Sequence, residues 1–306
     1  MTPTLPAAPI AIVIPTYNRA ETIARAVQSV LAAPVAGLEL VVADDASNDK
    51  TSAVLAEFAD VRLKVLFAGQ HRNGNVARNA GIAATTAPVV AFLDSDDEFL
   101  GGRIERLVDY FAANPSVEGV LDGFVVVDGA KRQTIRHREQ VPTSAAWSEL
   151  LLAHALPLTC SAIAVRRQAL TAVGGFDESL GRHQDRDLLM RLAARCRVAV
   201  GAGVDLVKYQ RGDSFSRNAR DYVAGLDAFA IRHPALLDAE HRDVLAYLVA
   251  RGILKPWFAG RFGAAIKEGW ALTEAKNIPF GFLGAVSRYT RGKAIRRRIE
   301  REFAGG

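Results

Sequence analysis

Asp94, Ser95, Asp96 and Asp97 close an apolar run at residues 89–93 and put three carboxylates within four positions. Like charges this close raise one another's pKa unless a cation or hydrogen-bond donors face them. Two carboxylates flanking a small serine supply the hard oxygen ligands that Mg²⁺ or Mn²⁺ takes. The other reading of the tetrad is a solvated turn whose Asp caps the next helix. Asp44 and Asp45 also follow an apolar run, at 38–43, and either line a loop or cap a helix. Arg78 in Ala77-Arg78-Asn79 and Asp185 in Gln184-Asp185-Arg186-Asp187 complete the residues whose type and setting suit chemistry.

These residues depend on the elements that carry them. Residues 10–14 (IAIVI) form a continuous apolar run, the mark of a strand buried on both faces, and Pro15-Thr16-Tyr17-Asn18 breaks it. Helical spacing over 22–31, a strand over 38–43 and a helix over 51–58 follow. A strand over 61–67, a helix over 76–84 capped by Asn75, and the strand over 89–93 come next. Strands alternating with helices imply a mostly parallel sheet with right-handed crossovers. Ligands of such sheets bind outside the carboxyl ends of the strands, which predicts Thr16, Tyr17, Asp45, Asp94 and Asp96 on one rim. Arg78 falls in the first turn of its predicted helix, where dipole and guanidinium both favour an anion, unless it is a surface arginine.

Further along, a helix is predicted over 102–113 and strands within 117–127, broken at Asp122-Gly123. Residues 132–141 read as a polar loop over the site. Helices follow over 147–153 and 167–173, with a strand over 162–165 between them. Asp185 and Asp187 open another helix, and 204–210 reads as a strand. Helices over 222–230, 241–251 and 257–270 complete the chain before a basic amphipathic tail.

Composition narrows the classes. The 306 residues are 50% hydrophobic, so disorder is excluded, and one large α/β domain with an appendage can form. Cys160 and Cys196 give neither a disulfide framework nor zinc spacing, which fits a reducing compartment. No apolar run approaches the roughly 18 residues that span a bilayer, and residues 1–10 lack a basic leader pattern. A cytoplasmic location is expected, with peripheral attachment at the inner membrane face as an option. Residues 251–306 hold twelve Lys or Arg against four Glu; with a whole-chain charge of +5, the first 250 residues are net acidic at −3.

Four stretches, IPTYNRAETI, VVADDASNDKT, NVARNAGIAATTAPVVAFLDSDDEFL and GGFDESLGRHQDRDLLMRL, together resemble family 2 glycosyltransferases of the GT-A fold, over residues 9–217. The resemblance implies a Rossmann-like catalytic domain, residues 1–217, and a helical extension, residues 218–306. It implies an inverting transfer from a nucleoside diphosphate sugar, a UDP-sugar, to an acceptor hydroxyl in cell-envelope or extracellular polysaccharide or glycolipid synthesis. By similarity, Thr16, Tyr17 and Asp45 contact base and ribose, and Arg78 contacts the diphosphate. Asp94, Ser95 and Asp96 form the Asp-x-Asp motif, with Asp96 the direct Mn²⁺ or Mg²⁺ ligand and Asp94 nearer the ribose and the metal. Asp185 is the general base, deprotonating the acceptor as it attacks the anomeric carbon.

Two positions depart from the family pattern. Gln184 stands where a Glu is usual, and glutamine adds no like charge that would raise the pKa of Asp185. Arg211 stands where relatives often place a histidine, and an arginine cannot bind a cation. Two other readings stay open: a non-catalytic nucleotide-sugar-binding protein that kept the fold, and a sugar-phosphate nucleotidyltransferase. The second calls for a Gly-rich basic loop after the first strand, and Pro15–Arg19 is not one. The partner is a glycan, lipid-linked or other hydroxyl acceptor. Oligomeric state is not readable. Arg288, Arg291, Lys293, Arg296, Arg297, Arg298 and Arg301, with Ile295, Ile299 and Phe303 at helical spacing, suit either an anionic membrane or a solvated packed helix. Nucleic acid is not an expected partner, because the stretch has few aromatics and no binding motif.

Overall fold

In the computed structural model, residues 9–210 and 221–305 are described, and they divide into two compact units. The first gathers Met1–Pro142, Leu158–Glu178 and Arg191–Tyr209; the second gathers Thr143–Pro157, Ser179–Met190 and Gln210–Gly306.

Among the described residues, the strands all fall in the first unit. β1 (Ile10–Thr16) is buried along its whole length, as a both-face strand must be, and β2 (Glu39–Asp44), β3 (Leu63–Phe67) and β4 (Val89–Phe92) run parallel around it. Helices α1 (Ile23–Leu31), α2 (Thr51–Ala56) and α3 (Gly74–Ala83) connect them. After a two-residue β5 (Glu98–Phe99) come α4 (Arg103–Ala113), β6 (Gly119–Leu121), β7 (Phe124–Asp128) and β8 (Lys131–Ile135). Past α5 (Ser144–Leu152) the chain adds β9 (Ile163–Arg166), α6 (Arg167–Ala172), α7 (Gln184–Ala193), β10 (Val198–Val200) and β11 (Leu206–Tyr209). The main sheet has the order β10-β6-β9-β4-β1-β2-β3, with β9 antiparallel to both its neighbours, and a second sheet has the order β5-β11-β7-β8.

Chain direction explains where the site forms. β1 leads to β2 on one side and β3 leads back to β4 on the other, so the order reverses between β1 and β4 and leaves a crevice at their carboxyl ends. α3 lies tight against β1: a Cβ on Gly81 would sit 2.4 Å from the Val13 side chain. That glycine sets how closely the helix bearing Arg78 approaches the sheet.

Several expected boundaries change. Asn73, not Asn75, caps α3, accepting from the backbone N–H of Asn75 and Val76, so Gly74 opens the helix. Arg78 is therefore the fifth helical residue, past the first turn. Residues 132–135, within the stretch 132–141 expected as a loop, belong to β8, a hairpin partner of β7 turned by Gly129 at φ 57°. Its exposed KRQTI sequence suits a charged sheet edge. The helix expected over 257–270 is two helices, parted at Gly260 with φ 71°.

The second unit is helical. It contains α5, the start of α7, α8 (Tyr222–Arg232), α9 (Ala239–Phe258), α10 (Phe262–Glu274) and α11 (Phe282–Gly305). Residues 244–250 of α9 are buried, together with Val223, Leu226 and Phe229 of α8. Among the described residues, no helix is long and apolar enough to cross a membrane.

One buried ion network ties the first unit together. Arg103, wholly buried at the start of α4, donates to Asp122 Oδ2 at 3.2 Å, to Asp205 Oδ1 at 2.6 Å and to the Ser161 carbonyl at 3.1 Å. Arg106 reaches the same two carboxylates. The network joins α4, the β6–β7 corner and the entry to β11. Removing one partner of a buried ion pair leaves an uncompensated charge. Asp122→Ala is expected to cost about 3–5 kcal/mol, read as a lower urea midpoint.

Candidate active site

The three strand ends of the crevice carry the polar residues the sequence singled out. Thr16 ends β1 opposite Asp44 of β2, and the Asp45 N–H donates to the Thr16 carbonyl at 2.9 Å. Asp44 accepts from Ser47 N–H and hydroxyl and so fixes the loop turn, while Asp49 holds the first N–H of α2 through Thr51. Asp45 serves no helix. Its buried carboxylate accepts from Arg72 N–H at 3.0 Å and lies 2.8 Å from His71 Nδ1. The His71 ring stacks on Tyr17 with centroids 3.8 Å apart. A flat aromatic pair, a fixed carboxylate and the buried Thr16 hydroxyl, unpartnered among the described residues, make one polar-and-planar corner. His71 is absent from the sequence-based set, since the loop at 69–75 offers no pattern that marks it.

The Asp94–Asp97 turn distributes its three carboxylates unequally. Asp94 Oδ1 accepts from Arg78 at 2.7 Å, and Asn75 Oδ1 accepts from the same guanidinium at 3.3 Å. Burial disfavours the Asp94 charge, but Arg78 and then Lys208 hold this carboxyl below the usual range. Asp97 is wholly buried; burial pushes its pKa up to about 7, against the pull of Lys208, with Asp94 and Asp96 adding to the rise. It accepts from the Ser161 hydroxyl at 2.7 Å and from Tyr209 N–H at 3.3 Å. The Ser161 hydroxyl also accepts from Asp94 N–H at 3.0 Å, so one serine braces both ends of the turn. Ser95 is buried between them.

Asp96 differs from both. Its backbone carbonyl accepts from Arg25 at 2.6 Å, but its carboxylate has no side-chain hydrogen-bond or ion-pair partner among the described residues. Burial, and next the charge of Asp94, raise its pKa. A half-buried carboxylate so disfavoured suits a cation. Among the described residues no three His, Cys, Asp or Glu converge on one point. Asp96 and the second Asp94 carboxylate oxygen could supply carboxylate ligands here, a donor set that suits a hard ion keeping waters and ligand oxygens.

Lys208 stands beside this turn, with Nζ 3.7 Å from Asp97, 3.9 Å from Asp94 and 3.2 Å from the Thr159 hydroxyl. It too is missing from the sequence-based set. A lone charge inside the apolar run of β11 was the available signal. Arg211 lies outside the described residues.

Asp185 belongs to the second unit, in the first turn of α7. Its carboxylate accepts from Arg186 N–H at 2.9 Å. Asp187, nearly inaccessible, pairs with His233 at 3.0 Å, a partner 46 residues away. The rings of His154 and His183 lie 5.0 Å apart near Tyr222.

The sequence profile of glycosyl transferase family 2 matches residues 11–174, more than half of the chain, which therefore belongs to that family. The chain is 34% identical to the UDP-Glc:alpha-D-GlcNAc-diphosphoundecaprenol beta-1,3-glucosyltransferase WfgD of Escherichia coli over 34% of this chain and 42% of that protein. It spans about half, or less, of the length of the curated relatives it matches. Staphylococcus aureus TarS 1–349, solved with UDP-GlcNAc, superposes with a TM-score of 0.67 at 17% identity, covering 97% of this chain and 90% of that one. The mannosyltransferase PcManGT of Pyrobaculum calidifontis, solved with GDP-Man and Mn²⁺, gives 0.56 at 20% identity, covering 99% and 88%. The α/β fold is the GT-A fold expected from the sequence.

The two buried histidines of the second unit give a pH prediction. Burial, followed by Arg186 and Arg182, drives the His183 pKa down to about 3, and burial with Arg186 holds His154 well below its usual value. Between pH 6.5 and 3 the unfolded chain therefore binds protons that the folded chain refuses, and stability falls as pH falls. At pH 5 His183 is expected to contribute a loss of up to about 2 kcal/mol. Urea midpoints at pH 7.5 and 5.0 should converge in His183→Gln relative to the parent chain.

Proposed function

We propose that this protein is an inverting glycosyltransferase that moves a sugar from a nucleoside diphosphate sugar, a UDP-sugar, to an acceptor hydroxyl. The observation that carries this reading is the split of the Asp94–Asp97 turn: one carboxylate neutralised by Arg78, one buried and protonatable, and Asp96 without a side-chain partner among the described residues. Its acceptor is a glycan or lipid-linked hydroxyl in envelope or polysaccharide synthesis. The name of the E. coli relative and its diphosphoundecaprenol acceptor support that class.

Each residue then has a stated task. Tyr17 and His71 offer a stacking surface to the base, and Asp45 accepts a hydrogen bond from a pyrimidine N–H. Thr16 lends its hydroxyl. Asp94, oriented by Arg78, accepts from the ribose, and Ser95 supports the turn. Arg78, whose guanidinium also donates to Asp94 and Asn75, acts on the diphosphate through its positive charge. Lys208 adds a second positive charge beside the turn. Asp96, with Asp94, would hold Mn²⁺ or Mg²⁺. A bound divalent ion supplies Lewis-acid stabilisation of the departing diphosphate. The TarS structure with UDP-GlcNAc and the PcManGT structure with GDP-Man and Mn²⁺ support a nucleotide sugar and a divalent ion in general.

Asp185 takes the acceptor proton as the hydroxyl attacks the anomeric carbon, and the bond to the diphosphate breaks on the opposite face. With Gln184 beside it, Asp185 gains no like-charge help from its chain neighbour.

Binding and turnover separate these roles. A thermal-shift series with UDP, GDP, CDP and dTDP, each with and without Mn²⁺, is expected to give the largest Mn²⁺-dependent shift with UDP. Saturation at 100 times Kd corresponds to about 2.7 kcal/mol. Asp96→Asn should erase the Mn²⁺-dependent part. Asp185→Asn should keep the shift and lose about 10²–10⁴-fold in transfer rate. Full transfer by Asp185→Asn would remove that residue as the base, and nucleotide binding without transfer by the parent chain to any hydroxyl acceptor would favour the non-catalytic reading.

A further inference from the structure

The second unit carries an apolar surface that its own packing leaves uncovered. α9 is buried through residues 244–250 and emerges at its C-terminal end, where Phe258 is 83% exposed and Trp257 48%. The chain turns at Gly260 and continues as α10, on which Phe262, Ile266 and Trp270 recur every four residues and are 52%, 64% and 67% exposed. The other side of α10 is fixed inward. Ala265, Glu268 and Leu272 are buried, and the Glu268 carboxylate accepts from the N–H groups of Tyr222 and Val223 at the start of α8. The apolar face of α10 therefore points outward by construction. The Trp257 and Phe262 rings meet edge-on at 5.0 Å, joining the two helices into one patch.

α11 extends the same patch. It runs antiparallel along α9: Tyr289 lies 5.1 Å from Tyr247, and a Cβ on Gly292 would collide with the Asp243 carbonyl. Its first turn, with Leu283 81% exposed, thus falls alongside the emerging end of α9.

Of the two readings of the basic tail, the packed helix is the one its burial fits: Ile299 is buried, and Ile295 and Phe303 are half-buried. Arg288 and Arg291 pair with Asp243, Arg296 with Glu300 and Arg298 with Glu302. Around the exposed patch the balance is positive. Residues 251–276 contain five Lys or Arg, of which Lys267 pairs with Asp221, against two Glu, one of which is the buried Glu268. Burial, with Arg251 and Arg261, depresses the pKa of Lys255, a sign of the positive field at this corner.

Aromatic and branched apolar side chains ringed by Lys and Arg are the composition of a surface that seats in the headgroup region of a bilayer. Self-association suits it less, because a second copy would bring the same positive charge against it. We propose that the face formed by Phe258, Phe262, Ile266, Trp270 and Leu283 docks on an anionic phospholipid bilayer, with Lys255, Arg261 and Lys276 over the lipid phosphates. This inference needs no nucleotide and stands apart from the catalytic reading.

Flotation of the full chain with vesicles tests it. Vesicles of phosphatidylcholine with 40% phosphatidylglycerol should carry the protein upward, and pure phosphatidylcholine vesicles should carry at least tenfold less. Binding should fall at 0.5 M salt, and tryptophan emission should shift to the blue, since Trp257 and Trp270 are exposed while Trp147 is buried. The double variant Phe258→Glu with Leu283→Glu changes two exposed positions; with an unchanged melting midpoint it should lose at least tenfold in vesicle binding. No flotation on anionic vesicles, or equal flotation of parent and double variant, would overturn the proposal. So would a dimer in sedimentation that the double variant dissolves.

Discussion

Crowding of carboxylates at the end of β4 is the constraint on which the site depends. Three acids in a four-residue turn cannot all stay ionised in a half-buried crevice without partners, and the chain gives each a different environment. Arg78 comes from α3, Ser161 from the turn before β9, and Lys208 with the Tyr209 N–H from β11. Asp94 is thereby ionised and oriented, Asp97 is driven toward the neutral form, and Asp96, in the field of Lys208 and Arg19, has no side-chain hydrogen bond or ion pair among the described residues. A carboxylate of that kind, at a sheet's topological switch point, suits an ion held together with a diphosphate.

Holding those partners in register is the work of the scaffold. β11 can present Lys208 and Tyr209 only if its entry is fixed, and Asp205 at that entry is clamped by Arg103 and Arg106, which also grip Asp122. The buried guanidinium of Arg103 couples this clamp to the Ser161 carbonyl, whose hydroxyl braces the acidic turn. Structural ions and functional ions are thus one connected set in the first unit. The second unit follows another logic: its interior buries histidines as neutral rings among arginines, while its surface leaves aromatics in water.

How much of this was legible in the sequence follows from the range of each interaction. Continuous apolar runs marked β1, β2 and β4, because burial on both faces needs no partner to be recognised. The strand-end rule then placed Thr16, Asp45 and Asp94 on one rim, and the four motifs identified the family. Local competition was less legible: whether Asn73 or Asn75 caps α3 turns on which side chain meets the free N–H groups, and both are asparagine. The pairing of residues 131–135 with β7 was hidden because a solvent-facing edge strand has no apolar alternation to display.

By itself, then, the sequence determined the order of the elements, the family, and the residue types available at the strand ends, since these rest on periodicity and on motifs within a few residues of one another. Only the tertiary structure decided what each charge does. Arg78 with Asp94, Lys208 with Asp97, His71 with Asp45 and His233 with Asp187 are separated by between 16 and 111 residues, and no local pattern encodes such distances. The same holds for the outward face of α10. Its apolar spacing reads as a core stripe, and it faces solvent because Glu268, on the opposite side, is the residue the helix buries.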